Sequence, residues 1–317
     1  MSYLLTVQAS WPLPGSPSPE PGSPNLTPTP DPFLTSQDRA PAEARSRQAA
    51  RAVQSRGAIP WPLGIPALLA ALFLLVPLAG LLVRAPWLGL PRILADSQVL
   101  DALRLSLLCA SAATALSLVF GVPLAWVLAR SQVRGIAVLR ALVTLPLVLP
   151  PVVGGVALLL AFGRQGILGR LLDEGTGITL PFTTAGVVIA ETFVAMPFLI
   201  ITVEGAFRAA DRGFEEAAAT LGASRLTVFR TVTIPLIGPS LLAGAVLCWA
   251  RALGEFGATI TFAGNFPGRT QTMPLAVYVA LESDPEAAVA LSLVLLVVSI
   301  AVLAGLRDRW LTTGTGP

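Results

Sequence analysis

Arg251 and Glu255 stand four residues apart inside an apolar stretch, Trp249-Ala250-Arg251-Ala252-Leu253-Gly254-Glu255-Phe256-Gly257-Ala258-Thr259. That spacing puts the two charges on one face of a helix. Charges within a membrane are costly and face a bundle interior or an aqueous cavity. The pair therefore reads as a structural ion pair or as a gate along a pathway, with Gly254 and Thr259 beside it. Glu191 is a further carboxylate in an apolar run. It reads as a neutral or hydrogen-bonded structural group, with proton coupling as the alternative. Covalent chemistry is largely excluded. The chain has no histidine, so it lacks a Ser-His-Asp triad, a His-bound zinc and a His proton shuttle. All 21 basic residues are arginine, which removes both the P-loop lysine and a Schiff base. Cys109 and Cys248 lie in apolar runs and read as small buried hydrophobes. No catalytic residue, metal or cofactor of its own is expected.

The elements that must position these residues are membrane helices. Of the 317 residues, 54% are hydrophobic and 12% charged, against about a quarter charged in a soluble domain. A helical span needs about 20 mostly apolar residues. Six stretches qualify: Pro62 to Val83, Leu103 to Ala129, Ala137 to Phe162, Phe182 to Val203, Ile237 to Phe262, and Ala287 to Leu306. Trp61, Trp87 and Trp310 flank the outer two as interfacial anchors. Arginines mark the cytoplasmic side: Arg130, Arg134 and Arg140 after span two, Arg208, Arg212, Arg225 and Arg230 after span four, and Arg307 and Arg309 in the tail. The opposite loops are poorer in arginine, with Arg84 and Arg92, Arg164 and Arg170, and Arg269, and they also hold Asp96, Asp173, Glu282 and Asp284 among others. Both termini are thus expected in the cytoplasm. The net charge of +3 follows from topology and implies no nucleic acid. Lipid is the expected surrounding.

Residues 1–57 differ from the rest, with nine prolines between Pro12 and Pro32. Such a stretch buries too little apolar area to offset its ordering entropy, so it is expected to be a disordered cytoplasmic extension. The membrane domain is expected over 58–310 and a short cytoplasmic tail over 311–317. Within the domain, Leu145-Pro146-Leu147-Val148-Leu149-Pro150-Pro151 is the densest helix break. Pro150 and Pro151 mark a simple kink or a pathway-lining, gating helix.

The cytoplasmic segment 208–235 is long for an inter-span loop. Phe214, Ala217, Ala218, Leu221 and Gly222 recur at helical spacing. Asp211, Glu215 and Glu216 suit the positive end of a helix dipole there. Gly222 permits a sharp turn. A second short helix is expected from Ser224 to Thr231, presenting Leu226 and Phe229, before Pro235 opens the next span. Such a helix pair either lies on lipid headgroups or docks in a groove of a soluble partner.

Glu216-Ala217-Ala218-Ala219-Thr220-Leu221-Gly222, with Pro235 thirteen positions beyond the glycine, resembles the EAA loop of bacterial ABC-importer permeases. Ile234 stands where that family usually has leucine. The stretch from Ala250 to Asn265, with Pro267-Gly268-Arg269-Thr270-Gln271-Thr272-Met273-Pro274 after it, resembles the molybdate group of those permeases. Phe256 departs from the tyrosine usual in sulfate permeases. The resemblance spans about 58–310. It implies an all-α membrane protein of six transmembrane helices with the type I ABC-importer permease architecture. It further implies a homodimer in the bacterial inner membrane, working with two cytoplasmic ATPase subunits that bind the ATP and an extracytoplasmic molybdate-binding protein. In the family the EAA loop docks on the ATPase and transmits its closure. A sulfate or thiosulfate permease is the sister reading. An ion-coupled secondary transporter using Glu191 or Glu255 and a membrane-anchored signalling protein are the alternatives from other classes. No repeat of span patterns between the halves favours the former.

Overall fold

The computed structural model describes residues 61–132 and 134–312. The proline-rich extension expected over 1–57 lies outside them, as do residues 313–317. The chain divides into two compact units, Met1–Ala71 and Leu72–Pro317. The described part of the first comprises the opening turns of helix α1 (Trp61–Val83). In the second unit, the α1 residues from Leu72 to Val83 are almost all exposed. A helix that is apolar all round and exposed among the described residues suits contact with lipid tails.

No strand occurs among the described residues. Four helices are long and apolar enough to cross a membrane, or six spans result if each of two bent pairs counts as one. A short helix α2 (Leu90–Leu94) precedes α3 (Ser97–Arg130), which the Asp96 carboxylate caps by accepting from the Gln98 amide at 2.8 Å. Helix α7 (Thr184–Ala209) packs against α3 and against α11 (Gly238–Leu253). The core between them is built from Ala110, Ala113, Ala125, Ala195, Leu199, Phe207, Cys248 and Ala252. Small residues let these helices approach closely, because lipid tails offer no hydrophobic drive for helix association and contact must supply it. A Cβ on Gly121 would lie 3.2 Å from Ile200, and one on Gly244 would lie 3.1 Å from Leu199. Hydroxyls in the spans donate to carbonyls one turn back, as Ser117 does to Ala113 at 2.7 Å and Thr192 to Val188 at 2.6 Å. These hydroxyls are thereby satisfied without water.

The third expected span, Ala137 to Phe162, is not one helix. It is α4 (Ile136–Val148) and α5 (Pro151–Phe162), bent by 119°. With 13 and 12 residues, each half reaches only about 20 Å, short of a bilayer core of about 30 Å. Pro150 and Pro151 cause the break. Each lacks an amide hydrogen, and each drives its predecessor out of the helical region. Leu149 and Pro150 accordingly have ψ of 133°. An amphipathic helix α6 (Ile167–Thr176) follows α5.

The fifth expected span, Ile237 to Phe262, is interrupted as well. Helix α11 stops at Leu253, and a separate helix α12 (Gly257–Phe262) follows. Helix α13 (Met273–Ser283) then lies between it and the last span, α14 (Pro285–Thr312). The two interrupted spans meet at their breaks. A Cβ on Gly257 would lie 2.9 Å from the Pro151 Cβ, and one on Gly155 would lie 2.7 Å from the Thr261 Cβ and 2.8 Å from the Ala258 carbonyl. Gly155→Ala is therefore expected to force α5 and α12 apart and lower stability by about 1–3 kcal/mol. Gly205→Ala, whose Cβ meets nothing within 4 Å, should not destabilise. Thermal denaturation of both purified variants in detergent checks this.

Candidate functional site

Residues 208–235 begin inside α7, which continues to Ala209. After a turn closed by the Asp211 carboxylate on the Gly213 amide (2.9 Å), helix α8 (Gly213–Thr220) forms. It ends as glycine-terminated helices do. The Gly222 amide donates to the Ala219 carbonyl at 3.0 Å and the Ala223 amide to the Ala218 carbonyl at 3.1 Å, with Gly222 at φ +87°. That pair of bonds satisfies the last carbonyls and requires a residue tolerant of the left-handed region. The Ser224 hydroxyl then caps α9 (Arg225–Val228) by accepting from the Thr227 amide at 3.2 Å. The second helix expected from Ser224 to Thr231 is shorter, because a π turn (Phe229–Thr233) takes over and leads through α10 (Ile234–Leu236) into α11.

This hairpin has an outward and an inward side. Leu221 lies past the end of α8. It sits in the turn and is 89% exposed. Leu226 and Phe214 are exposed too, as are Glu216, Ala217 and Pro235, while Ala218 is half-buried. Inward, Val228 and Thr233 are buried and Phe229 is wedged between two rings. It stacks on Phe207 of α7 and meets Trp126 of α3 edge-on, each at 6.3 Å between centroids. Glu215 also faces inward. Its Oε1 accepts from Arg130 Nη2 at 2.7 Å and from the Thr233 hydroxyl at 3.1 Å.

A second ionic cluster lies next to it. The buried Glu204 accepts from Arg140 Nε at 3.0 Å and from Arg208 Nη2 at 2.7 Å. Arg140 also donates to the Leu128 carbonyl at 3.1 Å, near the C-terminus of α3, where carbonyls lack helical partners. Sequence reasoning used Arg130, Arg140 and Arg208 only for topology and passed over Glu204. The four-residue step from Glu204 to Arg208 was the available signal. For Arg130 and Glu215 none existed, since 85 residues separate them.

The membrane candidates assemble at the meeting breaks. Arg251 donates to Glu255 Oε2 at 2.7 Å, with Glu255 only 1% exposed. The other carboxylate oxygen accepts from the Ala258 amide at 2.8 Å, capping α12. Gly254 is exposed, and Pro150 and Pro151 are exposed at the start of α5. Thr259 is buried, and its hydroxyl has no hydrogen-bond partner among the described residues. Glu191, at 1% exposure, likewise has one oxygen unpartnered.

Residues 117–313 match the family model described as "Binding-protein-dependent transport system inner membrane component". The chain belongs to that family. It is therefore a permease, a multi-pass protein of the inner membrane. The "Molybdenum transport system permease protein ModB" of Mycobacterium tuberculosis is 49% identical over 245 residues, covering 77% of this permease and 92% of that protein. The "Sulfate transport system permease protein CysT" of Salmonella typhimurium is 37% identical over 259 residues, covering 80% and 93%. Among solved structures, a "bacterial alginate ABC transporter in complex with alginate pentasaccharide-bound periplasmic protein" superposes with a TM-score of 0.63 at 17% identity, over 78% of this permease and 92% of that chain. The likeness shows the ABC-importer permease fold.

Proposed function

We propose that this permease is the membrane subunit of an ABC importer for molybdate or tungstate. It works as a homodimer, and both termini face the cytoplasm. Two separate ATPase subunits bind the ATP and dock on the hairpin of α8 and α9. An extracytoplasmic binding protein delivers the anion. The observation that carries the coupling is Leu221, an apolar side chain held out at the glycine turn beside the exposed Phe214 and Leu226, while Glu215 and Phe229 tie the hairpin to α3 and α7. A leucine exposed there gains by burial in a partner's groove. The substrate class rests on the identity with the molybdenum permease across nearly all of that relative's length.

Transport follows alternating access. ATP-driven closure of the partners draws the two hairpins together, and the pathway between the permeases opens outward to receive the anion. Hydrolysis resets it inward. This chain supplies a bistable pathway with a mechanical input and carries out no bond-breaking step. Few cations lie in the spans beyond Arg251 and Arg104, so tight selection belongs to the binding protein and a weak pathway site lets the ion leave.

The test is uptake of labelled molybdate at nanomolar concentration by cells with and without the chain. Uptake should depend on the chain and be blocked by excess tungstate but not by excess sulfate. The similarity to the sulfate permease supports sulfate as the second reading, and block by sulfate would select it. Uptake that does not depend on the chain would refute both.

A further inference from the structure

The family motif draws attention to Glu216, but in the structure Glu216 is exposed while its neighbour Glu215 is part-buried and ion-paired. One oxygen of Glu215 joins three elements. Glu215 itself belongs to α8. Arg130, at 2.7 Å, ends α3, a transmembrane helix of 34 residues. Thr233, at 3.1 Å, closes the π turn that feeds α11. Arg130 is 11% exposed and Glu215 23%, so the pair is shielded from bulk water and its hydrogen bonds are charge-assisted. Of the two transmembrane helices involved, α3 is contacted directly and α11 follows the π turn through α10 and a 74° bend. Helix α11 carries Arg251, and α3 packs along α11 and α7.

The neighbouring contacts cannot do the same work. Phe229 lies between Trp126 and Phe207 with ring centroids 6.3 Å apart, a packing contact that carries no charge. The Glu204 cluster ties α4, α7 and the end of α3 but touches no residue of α8, α9 or the π turn. Among the described ion pairs, Arg130–Glu215 alone joins the hairpin to a transmembrane helix. A directional charged bond between rigid helices resists both separation and shear. The π turn holding Thr233 is wound more loosely than an α-helix, which suits a joint.

We propose that Glu215 is a positioning residue for transport, the latch through which displacement of the docked hairpin is passed to α3 and α11 by way of Arg130 and Thr233. This rests on the reading that α8 and α9 dock on the ATPase. Without the latch, the ATPase still docks and turns over while the transmembrane helices follow it poorly.

The experiment uses the full complex of permease, ATPase and binding protein in proteoliposomes, and reads labelled molybdate uptake and ATP hydrolysis together. Glu215→Ala should keep its ATPase subunits on purification and lose about tenfold or more in molybdate carried per ATP hydrolysed. The exchanged pair Arg130→Glu with Glu215→Arg should recover most of that ratio, which a merely structural loss would not. An unchanged ratio in Glu215→Ala, or an exchanged pair no better than the single variant, overturns the latch. Loss of the ATPase from Glu215→Ala also overturns it, by making Glu215 part of the docking surface. Leu221→Asp serves as the control for docking. If it retains the ATPase subunits, the docking reading itself has failed, whatever Glu215 does.

Discussion

Gly222→Asp is expected to abolish ATP-driven uptake while the chain still inserts in the membrane. Gly222 has φ +87°, and a Cβ there would meet nothing within 4 Å. Space is therefore no obstacle, and the local cost is that of a left-handed residue. Aspartate tolerates that region better than alanine does. If backbone strain were the whole effect, Gly222→Ala would be at least as harmful as Gly222→Asp. Docking reverses the order. Aspartate sets a carboxylate beside Leu221, at the centre of the apolar tip, and its burial in a groove without a partner charge is costly. Central apolar anchors contribute about 2 kcal/mol or more at interfaces, equivalent to at least about thirtyfold in affinity. Molybdate uptake should then fall to background in Gly222→Asp and only a few-fold in Gly222→Ala, with equal amounts of both proteins in the membrane. Equal uptake by the two variants would remove Leu221 and its turn from the interface.

Glu255→Leu is expected to be the most damaging single change within the membrane. It leaves Arg251 without its counter-ion and the Ala258 amide without its acceptor. Removing one member of a buried pair costs about 3–5 kcal/mol, because the other charge stays uncompensated. The yield of homogeneous protein in detergent should fall sharply. The double variant Arg251→Met with Glu255→Leu should recover most of that stability, since no bare charge remains. Its transport activity then separates the two roles the spacing left open. Both carboxylate oxygens are committed to holding the break between α11 and α12, which favours a brace. The double variant is accordingly expected to carry molybdate within a few-fold of the wild-type rate. A folded double variant with no uptake would make the pair a gate instead.

Both of these sites were legible in the sequence. The ion pair could be read because its members lie one helical turn apart, and local spacing determines local contact. The glycine turn could be read for the same reason. Gly222 follows a helical run, and a left-handed stop after a helix is a local matter. The breaks at Pro150 and Pro151 were visible as residues lacking an amide hydrogen, though not their angle of 119°. By contrast, the interruption at Gly254–Phe256 went unseen. The span is apolar apart from Arg251 and Glu255, and hydropathy does not distinguish one long helix from two short ones.

What the sequence by itself determined is the class of the protein. Apolar runs of membrane-spanning length, the absence of lysine and histidine, and a glycine-stopped helix between two spans all act through composition and near neighbours. What only the tertiary structure decided is how distant residues pair. It paired Glu215 and left Glu216 exposed, placed Leu221 at an exposed tip, and brought the two broken spans together at Gly155 and Gly257. The physical reason is that two adjacent glutamates are alike in type and differ only in which neighbours the folded chain brings to them. Arg130 reaches Glu215 across 85 residues because α3 and α7 pack along their lengths through alanine and glycine, and no local pattern encodes that meeting.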